Sequence, residues 1–146
     1  MTNDLVVIDA SAAIKGILPN PLQAHCLMLV QTFADVQPAA PALWAYETTS
    51  VIAKAVHFGE INEKEARQAL EKLDSLGVRL FISDAEQNRA AFKWTLRLKR
   101  ASAYDSYYLV LAQAMECHFW TADKRLFNAL QDAHLSWVHW IEELVP

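Results

Sequence analysis

Four acidic residues in this 146-residue chain occupy positions where a carboxylate could do chemistry: Asp9, Glu47, Asp105 and Asp123. Asp9 closes the apolar run Leu5-Val6-Val7-Ile8, and Asp123 stands in the same relation to the run from His118 to Thr121. Glu47 lies in Leu43-Trp44-Ala45-Tyr46-Glu47-Thr48-Thr49-Ser50-Val51-Ile52, where few other charges occur. Helical spacing aligns it with a side carrying Leu43, Tyr46, Ser50 and Ala53. A lone acid on a semi-apolar helix is costly unless it is paired or bound to a cation. Asp105 aligns at helical spacing with Leu109 and Ala112, which are expected to face the core.

Each acid alone also has a plainer reading. Asp9, Asp105 and Asp123 suit helix N-termini, where the dipole favours negative charge, and Glu47 could sit at a rim. Together they suit a hard divalent cation, which takes oxygen ligands and keeps several waters beside a few carboxylates. Two charges at ~4 Å interact by about 1 kcal/mol in water and about 4 kcal/mol at an effective dielectric near 20. A cluster of four carboxylates is therefore disfavoured without a cation. With one, it could activate water and stabilise the leaving oxygen of a phosphodiester.

The elements that must position these acids can be read from pattern and punctuation. Leu5 to Ile8 is a continuous apolar run, as in a strand buried on both faces of a parallel sheet. Helices are expected over Ser11–Leu18, stopped by Pro19, and over Pro21–Ala34. A short strand and loop follow over Val36–Pro41, then a helix over Leu43–Phe58 ended by Gly59. Asn62 and Glu65 form a capping box for a helix ending near Gly77, and Val78–Ile82 is the next strand. Ser83-Asp84-Ala85-Glu86 reads as a second capping box, opening a helix to about Lys99. A helix over Ala103–Glu116, a strand over His118–Thr121, a helix over Asp123–Leu130 and a strand over Leu135–Val138 complete the chain. Strands alternating with helices predict an α/β fold with a mainly parallel sheet, whose ligands bind beyond the carboxyl ends of the strands.

Length and an apolar content of 53% suit a single domain over residues 1–146 with a sizeable core. No run approaches the roughly 18 apolar residues of a membrane span, and Met-Thr-Asn-Asp lacks the basic start of a secretory leader. The expected location is the cytoplasm, away from membranes. Cys26 and Cys117 form no CxxC pair and read as buried free thiols. The five histidines show no i, i+4 pair and read as structural. The net charge of −4 is unlike that of a generic nucleic-acid binder, unless a cation supplies positive charge at the site.

The chain resembles the PIN-domain family, and within it the VapC-type toxins of bacterial toxin–antitoxin pairs. The anchors are Val7-Ile8-Asp9-Ala10-Ser11-Ala12, Pro41-Ala42-Leu43-Trp44-Ala45-Tyr46-Glu47, the run from Tyr104 to Ala112, and Thr121-Ala122-Asp123-Lys124-Arg125-Leu126. Each motif is weak alone; all four in order over nearly the whole chain are fairly specific. The resemblance implies a PIN-like, Rossmann-like three-layer sandwich around a central parallel sheet ordered 3-2-1-4-5. It implies a magnesium- or manganese-dependent endoribonuclease with Asp9, Glu47, Asp105 and Asp123 as catalytic and metal-binding acids. Ser11 and Thr121 match supporting hydroxyl positions, although helix capping and strand packing explain them as well. It also implies a VapB-like antitoxin partner and a homodimer. Five tryptophans, Trp44, Trp94, Trp120, Trp137 and Trp140, are more than one small core needs and point the same way.

Two departures leave the acids untouched: Ser106 replaces a more usual alanine, and Pro19-Asn20-Pro21 lacks acids often found after the first helix. For the RNA path the candidates are Lys93, Arg97, Lys99 and Arg100, then Lys124 and Arg125, with a solvated helix face the alternative for the first four. Competing readings are a PIN nuclease of RNA processing or DNA cleavage, and a non-catalytic PIN scaffold that binds a partner. A haloacid-dehalogenase-type phosphatase would want a second Asp two residues after the first, where Ser11 stands.

Overall fold

The structure, a computed structural model, describes residues 4–145. In chain order the elements are β1 (Leu5–Ile8), α1 (Ala10–Ile17), α2 (Gln23–Thr32), β2 (Gln37–Pro41), α3 (Leu43–His57), α4 (Glu63–Ser75), β3 (Arg79–Phe81), α5 (Ala85–Arg97), α6 (Tyr104–Met115), β4 (His118–Thr121), α7 (Lys124–Leu130) and β5 (Val138–Trp140). Single 3-10 turns follow α7 and β5. All strand pairs are parallel, and the sheet order is β3-β2-β1-β4-β5.

That order reverses direction between β1 and β4. Connections from β1 outward through β2 to β3, and back to β4, must both be right-handed, so their helices cover opposite faces. Both sides of β1 are therefore dry, and Val6, Val7 and Ile8 are all buried. Helix α6 packs across β1, β2 and β4, with α5 behind it, while α1 packs on α2, α3 and α4. The approach of α1 to α2 is close because Gly16 lies at the crossing, where a Cβ would come within 3.4 Å of the Cys26 Cβ. Cys26 and Cys117 are free and buried.

Several boundaries follow local chemistry. Asn62 and Glu65 form the expected capping box, and Gly59 and Gly77 take the left-handed backbone that ends α3 and α4. The second capping box is shifted by one residue. Asp84 caps α5 with Gln87, while Ser83 Oγ donates to Asn88 Oδ1. Helix α2 begins at Gln23 rather than Pro21, because the Asn20 side chain holds a turn there: its amide donates to the Lys15 and Leu18 carbonyls, and its oxygen accepts from the Leu22 amide. The last strand is Val138–Trp140 rather than Leu135–Val138. Both runs are apolar, and the register is set by β4, with Phe119 N–H bonding the Trp137 carbonyl.

Two expectations change with packing. Trp44, Trp94, Trp120 and Trp140 are all buried, so the tryptophans serve this core and are no argument for an interface. The side of α3 with Tyr46, Ser50 and Ala53 is exposed; Trp44, Thr48, Ile52 and Ala55 are the buried face, and Glu47 lies between the two. His118 and His139 face each other on β4 and β5, with Nδ1 of His118 2.8 Å from Nε2 of His139. Nδ1 of His139 lies 3.0 Å from a Glu143 oxygen. The His139 ring stacks on Trp120, and burial beside His139 pushes the His118 pKa down.

Candidate active site

Asp9 is the N-cap of α1, reached directly from the carboxyl end of β1. Its Oδ1 accepts from the Ser11 hydroxyl at 2.6 Å and the Ala12 amide at 2.9 Å. Its Oδ2 accepts from the Thr121 hydroxyl at the end of β4. Thr121 Oγ1 in turn accepts from the Asp123 amide at 2.9 Å, and Ser11 Oγ accepts from the Ala122 amide at 3.2 Å. The ends of β1 and β4 are thus stitched together around one carboxylate that is only 5% exposed. Asp123 caps α7 through the Leu126 amide. Because the sheet order reverses between these two strands, both acids open into the crevice at that point.

The other two acids come from helices. Tyr108 of α6, fully buried, donates its hydroxyl to Glu47 Oε1 at 2.7 Å. Arg100 pairs with Asp105 Oδ2 at 2.8 Å. One open pocket is lined by Asp9, Glu47, Asp105 and Asp123 together. Lys15 lines it too, donating from Nζ to the Ala122 carbonyl at 2.8 Å.

Burial raises the carboxyl pKa values of Asp9, Glu47 and Asp105. Asp9 moves from 3.8 to about 6, by desolvation first, against its three hydrogen bonds and with a further push from the Asp105 charge. Glu47 is raised by desolvation, against the Tyr108 bond and with Asp105 adding to it. Asp105 is raised by desolvation, against Arg100 and with Asp123 adding to it. Asp105 is the common neighbour in this repulsion. The folded protein binds the Asp9 proton more tightly than the unfolded chain does, so that part of the stability is full below 3.8 and is lost as pH rises through about 6. Metal-free protein should therefore gain stability on acidification from pH 7 to 4, by about 2 kcal/mol from Asp9 at 1.36 kcal/mol per unit, because most of the shift from 3.8 to about 6 falls in that range. Denaturant midpoints across that range, for wild type and Asp9→Asn, check it; an equally steep rise in the variant would contradict the assignment.

The ribonuclease VapC9 of Mycobacterium tuberculosis strain H37Rv is 31% identical to this chain over 127 residues, covering 87% of this chain and 92% of its own. The chain belongs to the VapC ribonuclease family. The VapC ribonuclease Mb0985 of Mycobacterium bovis matches to the same extent. No family model matches the chain. Among solved structures, PAE2754 from Pyrobaculum aerophilum shares the fold with a TM-score of 0.66 at 16% identity, over 94% of this chain and 91% of its own.

In this VapC-family chain no group of three or more His, Cys, Asp or Glu among the described residues is tight enough to hold a metal ion. The four acids share a pocket but are turned toward protein donors: Ser11, Ala12 and Thr121 for Asp9, Tyr108 for Glu47, Arg100 for Asp105 and the Leu126 amide for Asp123. The donor set, all carboxylate oxygen with no nitrogen or sulfur, still fits a hard divalent cation. Lone-pair counting is informative for Asp9. Oδ1 already accepts twice and Oδ2 once, which leaves one acceptor position on Oδ2.

The basic residues named from sequence mostly lie elsewhere. Lys93, Arg97 and Lys99 are exposed, and the Arg97 guanidinium sits over the Trp94 ring. Lys124 rests over Trp140 and Phe127, and Arg125 is exposed. Of the six, Arg100 alone reaches one of the acids, as a partner of Asp105. Lys15 and Tyr108 were not singled out from sequence. Their signal is helical spacing: Lys15 is four residues after Ser11, and Tyr108 is three after Asp105, each on the same face.

Proposed function

We propose that this chain is a cytoplasmic, magnesium- or manganese-dependent endoribonuclease, the toxin of a toxin–antitoxin pair. The observation that carries the reading is the four-carboxylate pocket at the switch point of a parallel sheet, in a chain of the VapC family. Asp9, Glu47, Asp105 and Asp123 would hold the cation. When bound, the ion supplies the positive charge that an acidic pocket needs before it can accept a phosphodiester and a reacting water.

The protein's own groups do the positioning. Ser11, Thr121 and the Ala12 amide fix the Asp9 carboxylate and keep it ionisable despite burial. Tyr108 fixes one Glu47 oxygen and leaves the other available. Arg100 pairs with Asp105 and offsets its charge. Purified protein incubated with total RNA in magnesium or manganese, with new ends read by sequencing, is expected to produce discrete internal cuts. Absence of cuts in either ion would overturn the reading.

Tyr108→Phe keeps the ring stacked on Phe119 but strips Glu47 of its donor. Removing a hydrogen bond to a carboxylate that holds a metal costs about 10- to 100-fold in metal affinity or activity. The same loss is expected here, with the acidic limb of the rate profile moving to higher pH because the Tyr108 bond holds the Glu47 pKa down. An unchanged profile would remove Tyr108 from the site.

The protein partners belong to the same proposal. Phe92 and Leu96, one turn apart on α5, are each 62% exposed, and nearby in sequence Ile82 is 90% exposed. Such apolar exposure supports docking of an antitoxin or a second copy. Co-purification with the product of an adjacent reading frame tests the first, and light scattering the second. Among the described residues no helix is long and apolar enough to cross a membrane.

A further inference from the structure

Lys15 stands at the junction of two depressions. The acid pocket and a second groove share Ile14, Lys15 and Val51, so one runs into the other between α1 and α3. On α3, Glu47, Val51, Lys54 and Phe58 follow at helical spacing along one stripe, from the acids to the far end of the groove. At 1.5 Å per residue, Lys54 lies about 10 Å and Phe58 about 16 Å along the axis from Glu47. Among the described residues Lys15 takes part in none of the ion pairs, which are Arg67–Glu63, Arg100–Asp105 and His139–Glu143. Its ammonium has three donors, and the Ala122 carbonyl takes one.

We propose that single-stranded RNA runs from the acid pocket along the α1/α3 groove, with Lys15 binding a phosphate beside the scissile one and Lys54 binding a phosphate further along. The inference rests on the ribonuclease reading and goes beyond it by assigning the path. It answers where an acidic chain finds positive charge for a polyanion, and it replaces the α5 candidates, which lie outside the pocket. Phe58, 72% exposed at the groove's end, offers a face for a base to stack on. Glu60 and Glu65 line the same end and would repel a further phosphate, so the path ends at Phe58 after about two nucleotides.

The test is the salt dependence of cleavage of one single-stranded RNA that the wild type cuts. Lys15→Gln is expected to raise KM about tenfold with kcat changed far less, and Lys15→Arg to restore it. Each lost phosphate contact should lower the slope of log KM against log salt by about 0.7. Lys54→Gln, on the exposed surface, should show the same slope change with a smaller KM effect. No cleavage by wild type in either metal would remove the ribonuclease reading itself. Normal cleavage with an unaltered KM and slope in Lys15→Gln and Lys54→Gln would overturn the path and leave the groove to a protein partner. A fall in kcat and melting temperature that Lys15→Arg fails to restore would also overturn it, showing that Lys15 only holds the Ala122 carbonyl.

Discussion

Asp9→Asn is expected to cut RNA cleavage by on the order of a thousandfold, about 4 kcal/mol of barrier, while the protein stays folded. A neutral amide is a weaker ligand, and it leaves a cation in the pocket under-neutralised. The variant also changes the hydrogen bonding that stitches β1 to β4. Oδ1 can still accept from Ser11 and Ala12, but an amide nitrogen at the Oδ2 position faces the Thr121 hydroxyl, which already accepts from the Asp123 amide. Leaving that hydroxyl without an acceptor costs about 1–3 kcal/mol. Removing a buried charge whose pKa has risen to about 6 returns a similar amount. Metal-free melting temperatures of variant and wild type should therefore lie close together, although only the wild type cleaves. Full cleavage by Asp9→Asn would end the assignment, and a binding-only scaffold would show no cleavage in any sample.

Magnesium or manganese is expected to stabilise the wild-type fold, and EDTA to stop cleavage. At a hundredfold excess over the dissociation constant, binding contributes about 2.7 kcal/mol. For a domain of this size that is on the order of 5–10 °C in melting temperature. At one fixed ion concentration the effect should exceed that at a typical surface site, because the ion relieves the mutual repulsion that Asp105 shares with Asp9, Glu47 and Asp123 and so lowers the dissociation constant. It should weaken as pH falls below about 6, where Asp9 takes up its proton and metal must displace it. It should nearly vanish in Asp9→Asn. Thermal melts with and without the ion, at pH 7.5 and 5, check all three outcomes. Wild-type cleavage in excess EDTA would sink the metal dependence, and equal shifts in both proteins would move the ion away from Asp9.

Much of the fold was legible because its signals are local. An apolar run reads as a buried strand whichever neighbours it acquires, which is why β1 and β4 stand where the sequence places them. Asn62 with Glu65, and Gly59 and Gly77, determine helix ends through contacts within a turn. The four acids were legible for the same reason: each follows a strand or opens onto a helix face, and carboxylates in such places need a partner. Local signals failed where two readings were equally good. Ser83 and Asp84 both suit a cap, and Leu135–Val138 is as strand-like as Val138–Trp140, so pairing with β4 had to decide.

The sequence by itself determined most of the elements, the parallel α/β class and which four acids come to line one pocket, because these depend on residue type and spacing along one chain. Only the tertiary structure decided what surrounds each acid. Thr121 meets Asp9 across 112 residues, Tyr108 meets Glu47 across 61, and Lys15 meets the Ala122 carbonyl across 107. It also placed four tryptophans in the core and turned the Tyr46 side of α3 outward. No periodicity encodes such pairs. They arise when the sheet order brings β4 beside β1 and the right-handed crossovers lay α1, α3 and α6 around that seam, so that desolvation and charge are set by neighbours far away in the chain.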